Sequence, residues 1–207
     1  PEINPLSINS HARTVIVLGR KVLRGALRGY EQGNELDNAY PEFGLFSLED
    51  NFLAKTTYDV SIWMERHGFE AVPLFAYDVD GQPVGVPVAP GKPAPNVILQ
   101  VRLLAQAAGL GETGLAGLFL TPQFGPRQRF AMLVSDADLE PDAPFKPHLC
   151  DDCGACVKAC PLAALDADAG QPFGLPGYER RVAARDNKRC LQCRNGAVQT
   201  NEGRFST

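Results

Sequence analysis

Four of the six cysteines in this chain lie close together, between Cys150 and Cys160. They follow the spacing C-x2-C-x2-C-x3-C, and Pro161 comes directly after the last of them. Thiols two residues apart can wrap a short loop around one metal cluster, whereas the fourth thiol, after the turn, points toward a different cluster. This spacing constrains the fold more than any other feature, because the loop must curl around its metal.

The same spacing is typical of bacterial ferredoxins that bind 4Fe-4S clusters. Cys190 and Cys193 begin a second copy of the run, which would continue with cysteines at positions 196 and 200. The sequence has Gly196 and Thr200 there. Two clusters with full thiolate ligation need more cysteines than the chain has.

Two interpretations of the cluster number stay open. In one, the first three cysteines hold one cluster, the last three hold a second, and each cluster has an iron open to water, His148, Thr200 or substrate. In the other, which we favour, a single cluster takes the first three and one more, and two cysteines are buried as small apolar side chains. The predicted metal ligands are Cys150, Cys153, Cys156, Cys160, Cys190 and Cys193.

Zinc and disulfides fit these cysteines less well. A zinc ribbon places its two C-x2-C pairs roughly 15–20 residues apart, but Cys156 and Cys190 are separated by a longer segment. Adjacent thiols with two-residue spacing are poor disulfide partners, and no signal peptide indicates an oxidising compartment.

The composition bounds the class of protein. The chain has 207 residues, of which 44% are hydrophobic and 21% charged, as in an ordinary globular protein. Its net charge of −4, without a basic field, predicts no nucleic-acid partner. No apolar run reaches about 18 residues, so we expect no membrane span and, without a visible leader, a cytoplasmic location.

The pattern of apolar residues predicts an α+β body followed by a small module. Strands are expected at 14–19, 71–77 and 130–134, and helices at 47–68 and 96–108. The aromatic and Met residues of the first helix, Phe52, Trp63 and Met64 among them, are expected to face the core. The proline-rich segment 138–147 is expected to link domain 1–140 to an iron-sulfur module at 141–207. Within that module we expect a short helix at 158–165 and an irregular connection at 167–177.

A glycine loop precedes the cysteine run. Gly109, Gly111 and Gly114 form a literal G-x-G-x-x-G, but it follows a predicted helix and opens toward a strand, which is the reverse of a dinucleotide-binding fingerprint. The glycines allow either close backbone approach to a flat ligand or a tight turn without one. Arg127 and Arg129 can likewise pair with anionic groups of a ligand or lie exposed at the start of a strand.

The segment from Ala107 to Arg129, followed by Asp136, by Leu139-Glu-Pro-Asp142 and by the cysteine run, resembles the reductive dehalogenase and epoxyqueuosine reductase superfamily. Ala12 to Leu18 is similar to that family's first core strand. The resemblance covers roughly residues 105–161 in order and spacing, and it is more specific than the cysteine run alone.

The resemblance implies a nitroreductase-like α+β domain that binds a corrinoid (cobalamin) in its base-off form, followed by a ferredoxin-like module with 4Fe-4S clusters. Epoxyqueuosine reductases carry an acidic proton donor upstream of the glycine loop, where this chain has Pro95. The dehalogenases use a tyrosine, for which Tyr30, Tyr40 and Tyr58 are candidates. The residues implied to contact the corrinoid are Gly109, Gly111, Gly114, Thr121, Pro122, Gln123, Phe124, Gly125, Arg127 and Arg129.

Two functions are therefore expected from different classes. The first is an iron-sulfur oxidoreductase that passes low-potential electrons to a bound corrinoid for a reductive reaction on a small organic substrate. The alternative is a corrinoid-free electron-transfer or assembly protein that carries a single 4Fe-4S cluster and acts on a partner protein. In both cases a ferredoxin or flavodoxin is the expected electron donor.

Overall fold

The computed structural model describes residues 4–32, 39–74, 86–87, 89–91, 99–192, 198–199 and 205–206. The α-helices are α1 (Arg28–Gln32), α2 (Ala54–Arg66), α3 (Val101–Ala107), α4 (Ala155–Lys158) and α5 (Asn187–Gln192). The strands are β1 (Thr14–Lys21), β2 (Ala71–Leu74), β3 (Glu112–Thr113), β4 (Phe119–Leu120), β5 (Gln128–Ser135), β6 (Leu165–Phe173), β7 (Arg180–Arg185), β8 (Val198–Gln199) and β9 (Phe205–Ser206). Short 3-10 helices lie at Pro5–Ser7 and Arg24–Leu27, and π-helical segments at Pro41–Phe46 and Leu48–Leu53.

The main sheet is built around β5. Its strand order is β1-β5-β2, and both pairings are antiparallel, with Thr14 and Ala71 each opposite Ser135. A central strand is covered on both faces, which is why the β5 sequence is an almost continuous apolar run rather than an alternating one. The expected strands at 14–19 and 130–134 are present, and of the strand expected at 71–77 the last three residues lie outside the described part of the chain.

The core lies on both faces of this sheet. On one face Phe130, Met132 and Val134 pack with α3 and with Phe119, whose ring meets the Phe130 ring edge-on at 5.2 Å between centroids. On the other face Leu133 packs with Met64 of α2. Alternate residues of one strand therefore anchor helices on opposite sides, as the pleat requires.

The helix expected at 47–68 begins differently. The α-helix starts at Ala54, after the π-helical segments, and the Ser47 hydroxyl donates to the Glu42 carboxylate instead of capping the helix. The expected end is correct, since Gly68 adopts a φ of +87°. The expected core role is wrong for Trp63 of α2 and for Phe52 of the preceding π-helical segment, which are 57% and 42% exposed. The side of α2 that rests on the sheet is the one that carries Met64.

The helix expected at Asn96–Ala108 is shorter within the described residues. Its described part is α3, which begins after Gln100, and the Gln100 side chain accepts a hydrogen bond from the Arg102 amide. Asn96 lies outside the described residues. Gly109 follows α3 with a φ of +71°, as expected for a residue that ends a helix.

The segment after the cysteine run also differs from expectation. The short helix is α4, which lies inside the run and ends at Lys158, and the expected irregular segment 167–177 is largely strand β6. This strand pairs antiparallel with β7, with a register shift between Asp166 and Gln171. Between its end residues Leu165 and Phe173 this strand has no large apolar side chain. Its pairing with β7 is a nonlocal contact that apolar periodicity does not predict.

Polar contacts join the cysteine-bearing segment to the body. Gln106 of α3 is buried, and its side chain donates to the Tyr178 carbonyl (3.0 Å) and accepts from the Leu175 amide (3.2 Å). The Ala183 amide donates to the Leu115 carbonyl at 2.8 Å. Hydrogen bonds thus cross the expected boundary at residue 140, and the division into domains stays a prediction.

Across the described residues, no helix is both long and apolar enough to pass through a lipid bilayer. The cytoplasmic location stays a prediction.

Candidate metal centre and glycine loop

The cysteine run forms a loop that leads into α4. Asp152 and Gly154 have positive φ angles of 56° and 72°, which reverse the chain between the first cysteines. Cys153 and Cys156 are exposed, whereas Cys150 and Cys160 are half-buried. Cys190 is half-buried on α5, and Cys193 lies outside the described residues.

Two of the sulfur atoms accept backbone hydrogen bonds. The Leu115 amide donates to Cys150 Sγ at 3.4 Å, and the Ala164 amide donates to Cys160 Sγ at 3.2 Å. Hydrogen bonds to ligand sulfurs are among the features that set the reduction potential of an iron-sulfur cluster. These two thiols therefore lie in surroundings that suit ligands of such a cluster.

The donor set fits iron and sulfur in its chemistry. Soft thiolates are the ligands that iron-sulfur clusters take, and the run supplies them at the ferredoxin spacing. In the part of the chain that the structure describes, no three Cys, His, Asp or Glu side chains converge closely enough to hold a metal ion. The residues that would hold the first cluster are Cys150, Cys153 and Cys156.

Asp151 and Asp152 fix the loop locally. The Cys153 amide donates to Asp151 Oδ1 at 3.2 Å, and the hydrogen bonds of Cys153 to this exposed carboxylate lower the pKa of Asp151. Asp152 accepts a hydrogen bond from Arg180 of β7 at 2.8 Å. The cysteine loop is thus tied to the β6–β7 hairpin.

Glu112 of the glycine loop is fully buried and accepts hydrogen bonds from three consecutive amides at the start of the cysteine run. The donors are the amides of His148 (2.5 Å), Leu149 (3.1 Å) and Cys150 (2.7 Å). Arg180 donates to the Cys150 carbonyl at 2.5 Å. Burial lowers the pKa of Arg180, but the hydrogen bond to Asp152 and the charges of Asp152 and Glu112 raise it overall.

Neither Glu112 nor Arg180 was predicted from the sequence as part of this site. A signal for Glu112 was available, because it is the only charged residue between Arg102 and Arg127. A lone carboxylate in an apolar, glycine-rich stretch needs buried partners. Nothing comparable distinguished Arg180 from the neighbouring basic residues.

The glycines of the loop pack against their own chain. A Cβ on Gly111 would overlap the Leu120 carbonyl oxygen, and one on Gly109 would lie 2.8 Å from the Ala143 carbonyl oxygen. A Cβ on Gly114 would lie 2.8 Å from a Leu120 methyl group and 3.5 Å from Cys150 Sγ. The tight β3–β4 hairpin explains Gly111 and Gly114, and close approach of the Ala143 backbone explains Gly109. Contact of these glycines with a flat ligand stays a prediction.

The segment after β4 forms a closed turn. Thr121 and Gly125 exchange two backbone hydrogen bonds of 2.9 Å, and the Thr121 hydroxyl contacts Gln128 at 3.1 Å. Three residues of this turn, Pro122, Gln123 and Phe124, are exposed. Thr121 and Gly125 thus lie directly after β4, at the end of the hairpin where Gly111 leads into β3, and Gly114 lies at the other end, in the turn.

The two arginines lie elsewhere. Arg129 pairs with Glu49 at 3.0 Å and donates to the Tyr40 hydroxyl at 2.8 Å, while the exposed Arg127 lies 3.9 Å from Glu31. Burial raises the pKa of Glu49, and the nearby Arg129 offsets part of this rise. Both arginines thus have acidic partners within the protein.

The three candidate tyrosines are placed differently. Tyr40 is hydrogen-bonded to Arg129, and Tyr58 is 60% exposed. The side chain of Tyr30 lies outside the described part of the chain. A proton-donor role for any of them stays a prediction.

A cavity of about 740 Å³ lies between α2, the preceding π-helical segment and the sheet. Its lining includes Leu53, Tyr58, Leu74 and Ala131, and none of the residues expected to contact a corrinoid. Arg129 lies on the opposite face of β5 from Gln128, the partner of Thr121. The contacts of these residues with a corrinoid stay a prediction.

Comparison with known proteins gives these features a context. Residues 143–166 match the family model of the 4Fe-4S binding domain. A tetrachloroethene reductive dehalogenase of Desulfitobacterium hafniense is 32% identical over 148 residues, which are 67% of this chain and 23% of that protein. An epoxyqueuosine reductase of Listeria monocytogenes is 37% identical over 62 residues, 30% of this chain and 16% of that protein.

Solved structures share the fold. A catabolic reductive dehalogenase in complex with 3-bromo-4-hydroxybenzoic acid matches 93% of this chain and 24% of its own, with a TM-score of 0.58 and 17% identity. An epoxyqueuosine reductase with an epoxyqueuosine-modified tRNA-Tyr stem loop matches 77% of this chain and 38% of its own, with a TM-score of 0.51 and 17% identity.

The body of mixed helix and sheet, followed by a 4Fe-4S binding segment, defines a class of iron-sulfur proteins. Within that class, the chain belongs to the reductive dehalogenase and epoxyqueuosine reductase superfamily, as a divergent member. This confirms the resemblance stated from the sequence. The chain spans about a quarter of the length of the first dehalogenase relative (23%).

One expectation about partners is wrong. Nucleic acid was excluded on the net charge, yet a structural neighbour is an epoxyqueuosine reductase with a tRNA stem loop. Net charge sums the whole chain and does not describe a local surface. The exclusion is therefore withdrawn.

Proposed function

We propose that the chain acts as an iron-sulfur oxidoreductase unit, which passes low-potential electrons from a 4Fe-4S cluster to a group bound at the glycine loop for a reductive reaction on a small organic substrate. One observation carries the proposal. Cys150 Sγ accepts the Leu115 amide at 3.4 Å and lies 3.5 Å from the position of a Cβ on Gly114. A cluster held by this thiol would therefore lie beside the glycine loop.

The identity of the electron acceptor is a finer part of the proposal. The resemblance implies a corrinoid and a nitroreductase-like body, and the dehalogenase relatives support this choice. The corrinoid contacts stay a prediction, so no residue is given a role toward cobalt. Because an epoxyqueuosine reductase shares the fold, a modified tRNA base belongs among the substrates to be tested.

A second candidate is a corrinoid-free electron-transfer or assembly protein with a single cluster, which acts on a partner protein. The packing of the glycines favours it, since the Cβ sides of Gly109, Gly111 and Gly114 are filled by the chain itself. The missing cysteines at positions 196 and 200 agree with a single cluster.

The decisive experiment is metal analysis of protein purified without oxygen. Iron, sulfide, cobalt and zinc are measured per chain, together with an electron paramagnetic resonance spectrum after reduction, before and after incubation with hydroxocobalamin. About eight irons with bound cobalamin support two clusters and a corrinoid enzyme. About four irons without cobalamin support the single-cluster carrier, and zinc in place of iron contradicts both.

A further inference from the structure

Glu112 is a buried charge that the proposed function does not yet use. Its side chain is 0% exposed, and its two oxygens accept from the amides of residues 148, 149 and 150 at 2.5, 3.1 and 2.7 Å. Burying a carboxylate is unfavourable unless hydrogen bonds replace its water. Three backbone donors supply that replacement, and they bind this acid to the segment that delivers the first cysteine.

Arg180 holds the same cysteine from the other side. Its guanidinium donates to the Cys150 carbonyl at 2.5 Å and to the Asp152 carboxylate at 2.8 Å. With the Leu115 amide on its Sγ atom at 3.4 Å, Cys150 is fixed through its amide, its carbonyl and its sulfur. The groups come from β3, the β3–β4 turn and β7, and each lies 30 or more residues from Cys150 in the sequence.

The other cysteines of the loop are held differently. Cys153 and Cys156 are exposed, and the Cys153 amide donates to the exposed Asp151 of its own loop. Their positions therefore depend on local backbone and on the metal itself. Cys150 is instead held by groups of other elements, Glu112 and Leu115 of the body and Arg180 of β7.

We propose that Glu112 and Arg180 are positioning residues that together fix the Cys150 thiolate and set the reduction potential of its cluster with opposite charges. An added electron makes a cluster more negative, so a carboxylate beside a ligand disfavours reduction and a guanidinium favours it. This inference rests on the proposed 4Fe-4S cluster at Cys150, Cys153 and Cys156.

The test uses the variants Glu112→Gln and Arg180→Gln in the full chain, reconstituted anaerobically beside the wild type. Three quantities are measured: the midpoint potential by redox titration, the electron paramagnetic resonance spectrum of the reduced cluster, and the rate of iron release to a chelator. We expect the potential to rise in Glu112→Gln and to fall in Arg180→Gln. Iron release should be roughly tenfold faster in each, because a charge-assisted hydrogen bond at the ligand is weakened.

A matched control is Gln128→Leu. Gln128 is also buried and donates to the Phe119 carbonyl at 2.7 Å, so its loss loosens the same hairpin without touching the cysteine loop. If the substitutions acted only by loosening the structure, the midpoint potential would shift in the same direction in all three variants. Potential shifts of opposite sign in the two charge variants, absent from the control, are what the proposal requires.

The proposal is overturned if both charge variants keep the wild-type potential and iron-release rate, if their potentials shift in the same direction, or if Gln128→Leu reproduces the changes. If Glu112→Gln does not fold, the partly exposed Arg180→Gln decides by the sign of its shift alone. A wild type without a cluster would overturn the proposed function as well, whereas a loaded wild type with unchanged variants overturns only the positioning role.

Discussion

The sheet of the body and the cysteine-bearing segment are stabilised in different ways. In β5, Met132, Leu133 and Val134 are each at most 1% exposed and pack on both faces of the sheet. Between residues 150 and 192, the buried apolar side chains of the described chain are two alanines, Ala164 and Ala183. The first region is held by apolar burial, whereas the second relies on hydrogen bonds, charges and, by our proposal, a metal cluster.

The two regions therefore differ in the interactions that stabilise them. Burial of apolar area is nondirectional and makes the sheet stable without a ligand. A small segment with little core usually depends on a staple such as a metal. Hydrogen bonds of Glu112 and Gln106 attach this segment to the body, and Arg180 fixes the cysteine loop from within the segment.

The largest effect is expected from removing the metal cluster, because the two regions should respond to it differently. In Cys153→Ala we expect complete loss of the cluster and loss of amide protection in residues 150–192, because the segment has little apolar burial of its own. The β1-β5-β2 sheet should keep its protection. Hydrogen exchange with mass spectrometry and iron analysis measure both. Full protection of the segment in iron-free protein would show that the segment does not need the cluster.

The reverse change is Leu133→Ala in the core of the sheet. Leu133 is 0% exposed, so its truncation should lower the free energy of unfolding by about 2–5 kcal/mol while the folded protein still binds iron. Chemical denaturation measures the loss. Leu118→Ala is a matched control, since Leu118 is 56% exposed and its loss should change stability by about 0.5 kcal/mol or less. Equal losses in the two variants would argue against a core centred on β5.

A smaller effect is expected where the two regions meet. Gly111→Ala would place a Cβ against the Leu120 carbonyl oxygen and strain the β3–β4 hairpin. We expect a loss of about 1–3 kcal/mol in the free energy of unfolding, together with weaker iron retention, because Glu112 is the next residue. Gly25→Ala is the control, as no atom lies within 4 Å of its Cβ position. A neutral Gly111→Ala would mean that the hairpin adjusts freely.

The smallest expected effect is on the pH dependence of stability, and it involves only the body. Burial raises the pKa of Glu49 above its ordinary value of 4.5, so its contribution to stability is fully present below that value and falls as pH rises through the folded-state pKa. In Glu49→Gln the side chain does not ionise, so this loss of stability with rising pH is absent. The melting temperature of the variant relative to the wild type should therefore increase from about pH 4 to about pH 7. A constant or decreasing difference would contradict the burial effect.

Parts of this protein could be predicted from local sequence. The spacing of Cys150, Cys153 and Cys156 indicated a 4Fe-4S segment, and the family model at residues 143–166 confirms it. The apolar runs at 14–19 and 130–134 indicated the two long strands of the sheet, and the order of the motifs indicated the superfamily. Ligand spacing and strand periodicity are properties of short segments, which is why sequence alone determined them.

Only the tertiary structure decided which residues meet. Glu112 reaches an amide 38 residues later, and Arg180 reaches back 30 residues to the Cys150 carbonyl. The pairing of β6 with β7, the exposure of Trp63 and the separation of Arg129 from Thr121 are likewise set by how elements pack. These contacts depend on long-range burial and charge pairing, which a residue's neighbours in the sequence do not specify.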